Sequence, residues 1–64
     1  MNLKMHKHLG RLYEVMAEFP ESSPHEANRF MEKTPGASVL AVADGKIIIA
    51  NAEDSGIPAQ GGVQ

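Results

Sequence analysis

The spacing of apolar residues changes twice along the chain. Between Leu3 and Phe19, the residues Met5, Leu9, Leu12, Met16 and Phe19 recur at intervals of three and four. That spacing predicts one face of an amphipathic helix. Tyr13 and Val15 widen the stripe, and Lys4, Lys7, Arg11, Glu14 and Glu18 fall opposite. Charge pairs on such a helix are worth only about 0.2–0.5 kcal/mol each, so packing must hold it. Gly10 weakens it by about 1 kcal/mol relative to alanine, and Pro20 ends it.

A second helix is predicted from Pro24 to Lys33. Ser23 is its expected N-cap, Pro24 takes the first helical position, and Glu26 follows the serine by three, a capping box. Ala27, Phe30 and Met31 form its apolar stripe, while Asn28, Arg29, Glu32 and Lys33 form a solvated face. Thr34 to Gly36 breaks the helix.

The period then changes to that of strands. "SVLAVADGKIIIAN", Ser38 to Asn51, is a hairpin closed by Asp44-Gly45, a strong type I′ turn signal. A regular ladder sets Ala43 opposite Lys46, Val42 opposite Ile47, Ala41 opposite Ile48, Leu40 opposite Ile49 and Val39 opposite Ala50. One face then carries Leu40, Val42, Ile47 and Ile49. The other carries Val39, Ala41, Ile48 and Ala50. Both are apolar, and an isolated hairpin is marginal in water.

The expected architecture is therefore α+β: helix, helix, hairpin (α-α-β-β), with residues 1–52 as one domain and 53–64 as a flexible tail. Two helices cover one hairpin face. The tail has only Ile57 and Val63 as apolar anchors, so a second molecule is expected on Val39, Ala41, Ile48 and Ala50. A copy of the chain across a two-fold axis is the simplest such partner.

Composition narrows the functional classes. A chain of 64 residues sits near the lower limit of independent stability, where oligomerisation or another staple is usual. Without cysteine it has neither disulfides nor thiolate metal sites, which fits a cytoplasmic protein. No apolar run reaches the roughly 20 residues needed to span a membrane, and no signal-peptide core follows the basic start. The net charge of −2 argues against bulk electrostatic binding to nucleic acid. Its distribution is uneven, with Lys4, Lys7 and Arg11 preceding every acidic residue.

Candidate chemistry is sparse. His6 and His8 point about 200° apart on a helix, so they share a metal only if the N-terminus is extended. His25 is distant in sequence, and no His-x-x-x-His pair exists. Ser22, Ser23, Glu26 and Asp44 have structural duties in caps and turns, which leaves no serine–histidine or paired-carboxylate set. Gly61-Gly62 lacks the flanking strand and helix of a phosphate loop. No enzyme activity, cofactor, metal or small-molecule substrate is expected.

The order helix, helix, hairpin resembles a winged-helix domain. The second helix, however, sets Glu26 and Glu32 beside Arg29 and Lys33, and the wing offers only Lys46. "VLAVADGKIIIANAED" resembles the opening strand pair of a PAS sensor domain over residues 39–54 and no further. The leading expectation is a non-catalytic interaction protein that regulates a protein partner by docking on it, as a homodimer. The alternative is a dimeric nucleic-acid-binding regulator that contacts phosphates through Lys4, Lys7 and Arg11.

Overall fold

The structure is a computed structural model, and it describes residues 4–58. The expected apolar anchor at Val63 and the Gly61-Gly62 pair lie outside the described residues. Among the described residues there are one helix and six strands, the strands forming two antiparallel three-stranded sheets, so the expected order of two helices and a hairpin is corrected. The N-terminal helix is absent. In its place are β1 (Met5–His8), β2 (Arg11–Glu14) and β3 (Ala17–Pro20).

The reason is visible at Leu9 and Gly10, whose φ angles are 53° and 81°. Two consecutive positive φ values make the tight turn that antiparallel strands require, and they stop a right-handed helix. The glycine that weakened the helical reading is the second residue of a hairpin turn. Side chains between Met5 and Glu14 alternate instead of winding. His6, His8, Arg11 and Tyr13 share one face of the β1–β2 ladder, and Met5, Lys7, Leu12 and Glu14 share the other. Helix propensity in Leu-, Met-, Glu- and Lys-rich segments is a weak prior that tertiary context overrides.

The single helix, α1, runs from Pro24 to Lys33 as expected. Ser23 is its N-cap by position and Pro24 opens it, but the side chain of Ser23 makes no capping hydrogen bond. The backbone N–H of Glu26 donates to the Ser23 carbonyl at 3.1 Å instead. The reciprocal capping box is therefore not formed. Glu26 retains its favourable place in the first turn, near the positive end of the helix dipole.

The predicted hairpin is β4 (Ala37–Ala43) and β5 (Lys46–Asn51), with Asp44 and Gly45 at φ 54° and 73°. β5 is central in the sheet order β3-β5-β4. Both neighbours run antiparallel to it, so α1 links two mutually parallel outer strands. Ile47 and Ile49 of β5 pack with Ala27, Phe30 and Met31 of α1, joined by Ala17 and Phe19 of β3 and by Ala37. The Phe19 and Phe30 rings meet at 5.7 Å between centroids. Ile49 is fully buried, worth about 1.5–3 kcal/mol.

The opposite face of β5 carries Ile48 and Ala50, each only 3% exposed within the single chain. The other sheet, in the order β1-β2-β6, lies towards it, with contact from β2 to β5. The short strand β6 (Ile57–Pro58) sets Ile57 opposite Leu12 and Pro58 opposite Arg11. The segment expected as a tail thus contributes β6 to this sheet. The carboxylate of Asp54 accepts the backbone N–H groups of Glu14 at 3.3 Å and Gly56 at 2.8 Å. Among the described residues no helix is long and apolar enough to cross a membrane.

Candidate functional site

The register of β4 decides which surface is available. Ala43, Val42 and Ala41 pair with Lys46, Ile47 and Ile48 as expected, but Val39 stands opposite Ile49 and Ser38 opposite Ala50. One extra residue, Leu40, is taken up in a β-bulge between Val39 and Ala41. The bulge shifts Val39 to the face of Ile47 and Ile49. Val39 and Val42 consequently share a face although three residues apart, a spacing that a regular strand forbids.

The four residues expected at an interface thus divide. Val39 is 46% exposed on the helix side of the sheet, while Ile48 and Ala50 are buried on the other side. Ala41, half-buried, pairs with Ile48. Ile48 and Ala50, on the dry second face that called for another molecule, are thus buried within the single chain, and β2 is in contact with β5. Val42, expected on the covered face, is 53% exposed. No signal in the sequence marks the bulge that brings these two valines together.

The outer edge of β4 has no strand beside it among the described residues. Its seven residues, "ASVLAVA", contain no charge and no proline. The other sheet edges differ. β3 ends in Pro20, which has no N–H, and carries Glu18 bonded to Lys4 at 2.8 Å. β1 carries Lys7, and β6 is two residues long with Pro58. Charge, proline and short length are the usual devices that stop a sheet edge from recruiting another strand. β4 has none of these, and its bulge, a further such device, is the one it carries.

The basic residues do not converge. Lys4 forms an ion pair with Glu18 at 2.8 Å. Arg11 donates from Nε to the Ser55 carbonyl at 2.8 Å and from Nη2 to the Gly56 carbonyl at 3.2 Å, which ties β2 to the approach of β6. Lys7 lies on the opposite face of the β1–β2 ladder from Arg11. Lys4 and Arg11 thus serve the chain's own packing.

On a strand, His6 and His8 share a face, because side chains two apart point the same way. The His8 and Tyr13 rings meet edge-on at 6.3 Å. Both line a cleft with Leu40, Ala50 and Asp54, but the Asp54 carboxylate is already engaged by two backbone donors. Among the described residues, no group of three or more histidine, aspartate or glutamate side chains has metal-binding geometry. What the arrangement offers is an open, uncharged backbone edge flanked by two exposed valines. Comparison with protein-family models, curated proteins and solved structures finds no match to this chain.

Proposed function

We propose that this is a non-catalytic interaction protein that docks on a protein partner by strand addition at β4. An extended segment of the partner satisfies the outward N–H and C=O groups of Ala37–Ala43, and its apolar side chains rest on Val39 and Val42. In this mode backbone hydrogen bonds supply affinity, and alternate side chains supply selectivity. The observation that carries the reading is the uncharged, proline-free edge of β4, set against the protected edges elsewhere. The cysteine-free composition suits work in a reducing cytoplasm.

The test compares the full chain with a Val39→Lys/Val42→Lys double variant in capture experiments from nuclease-treated lysate. The exposed valines tolerate lysine without loss of fold, which unchanged far-ultraviolet circular dichroism verifies. The expected result is a set of proteins retained by the natural sequence, insensitive to nuclease and lost from the double variant. Capture of the same set by the double variant overturns the reading. So does loss of all captured material on nuclease treatment, which places a nucleic acid at the interface.

A further inference from the structure

We propose that, in the isolated protein, the strand on the β4 edge is β4 of a second copy. The two run antiparallel across a two-fold axis, with Val39 of each chain opposite Val42 of the other. This rests on the strand-addition reading of β4 and names the occupant of the edge. The bulge selects the register. Directly opposed residues in an antiparallel ladder point to the same face, and Val39 and Val42 share the face of Ile49 and Ile47.

With Val39 opposite Val42 of the copy, Ser38 stands opposite Ala43, and both face the Ile48 side. Moving the register by one residue sets Val39 opposite Ala41 or Ala43, which point the other way. Centring the axis on Val39 or on Val42 shortens the overlap. The 39–42 register pairs Ser38–Ala43 of the two chains, six of the seven residues of β4, and keeps both faces consistent.

Charge and stability favour a copy as occupant. An isologous contact brings each residue type towards its own kind, so a charged edge would repel itself, and Ala37–Ala43 carries no charge. Among the described residues the buried hydrophobic ones are Ala27 and Ile47 to Ala50, with Ile49 the one large side chain fully enclosed. It has no cysteine for a disulfide staple. Self-pairing gives a continuous six-stranded sheet with both copies of α1 on one side. Four valines then join in a strip between the helices, and two open edges disappear. A partner strand competes with the copy for the same backbone groups.

The absence of natural cysteine makes the register directly testable. Opposed residues in an antiparallel pair lie about 4.5–5.5 Å apart at Cα, within disulfide range, whereas three residues of offset add about 10 Å. Val39→Cys and Val42→Cys chains, distinguished by isotope, are mixed and mildly oxidised. The expected result is a mixed 39–42 disulfide in large excess over either same-residue disulfide. Light scattering of the natural chain is expected to give twice the 6.9 kDa chain mass, and Val42→Lys to give folded monomer.

A monomer at high micromolar concentration overturns the proposal, as does a dimer whose cross-links are not 39–42. The two readings fail separately. Monomeric protein whose lysate capture still depends on Val39 and Val42 removes the copy and leaves partner docking. A 39–42 dimer whose double-lysine variant captures unchanged proteins removes partner docking and leaves the copy.

Discussion

Val39 stands directly opposite Ile49, yet Ile49 is fully buried while Val39 is about half exposed. Two β-branched residues on the same face of adjacent strands thus have opposite energetic weight. α1 lies over β3 and β5 and reaches β4 at Ala37, leaving the later residues of that edge uncovered. Ile49→Ala should cost about 2–5 kcal/mol, from lost transfer energy plus the cavity left behind. A domain of this length holds about 3–10 kcal/mol in total. Val39→Ala should stay within about 1 kcal/mol in a monomeric chain, since about half of its surface is already in water. Urea denaturation of both variants checks the contrast, and equal losses would remove it.

The Leu9-Gly10 turn yields a prediction whose sign separates strand from helix. In a helix interior, Gly10→Ala stabilises by about 1 kcal/mol. With Gly10 at φ 81°, the same change destabilises by roughly 1–2 kcal/mol, the cost of a Cβ in left-handed geometry. Leu9 sits at φ 53° with 87% of its surface exposed. Leu9→Asn should therefore raise stability, by about 0.5–1 kcal/mol, because Asn-Gly suits a type I′ turn and no buried contact is lost. The thermal midpoints of the two variants should move in opposite directions.

Gly56 is the close approach that seats β6. It has φ 77°, and a Cβ there would lie 2.9 Å from Cζ of Tyr13 and 3.0 Å from Cβ of Arg11. Gly56→Ala should displace the segment and break the Arg11 bonds to the Ser55 and Gly56 carbonyls. Strain of this kind typically costs about 1–3 kcal/mol. Tyr13 is the only tyrosine, and there is no tryptophan, so tyrosine fluorescence reports the site directly. Raised quenching by iodide, with the β4–β5 amides still protected from hydrogen exchange, is the expected outcome. Unchanged tyrosine accessibility would show that β6 does not depend on this contact.

The parts legible in the sequence were those fixed by local chemistry. Asp44-Gly45 closes the hairpin because its two positive φ values suit those residues. Pro24 and the Ala27, Phe30 and Met31 stripe define α1. Between Met5 and Phe19 the apolar residues satisfy a helical period, and only Gly10 argues against it. That segment became strands because β5 has a second edge, which Ala17–Pro20 fills, and a second face, towards which β2 packs. Such non-local demands leave no local mark. Neither does the bulge at Leu40, since its flanking residues are apolar on both faces of β4. The face of Val39 was therefore misread, while Val42 gained an exposure that the pattern gave no reason to expect.

Glu18 links the two halves of the chain through charge. Its Oε1 accepts a hydrogen bond from Lys4 at 2.8 Å and lies 3.7 Å from Lys46. The hydrogen bond from Lys4 is the largest cause of a lowered carboxyl pKa. Partial burial works against it, and the charges of Lys4 and Lys46 add to it. A carboxyl with a folded pKa below its unfolded value is protonated less in the folded state. Its contribution is therefore complete above the ordinary glutamate value of 4.5 and is lost as pH falls through the lower folded value. Glu18→Gln should lower the thermal midpoint modestly at neutral pH and bring it level with the natural chain in acid. Every other carboxylate is common to both proteins, so the difference between the two curves isolates Glu18. Added salt should shrink that difference, because Lys4 and Lys46 are more than half exposed. Parallel curves from roughly pH 3 to pH 6, the range that spans glutamate titration, would show that the Lys4–Glu18 bond does not stabilise the fold.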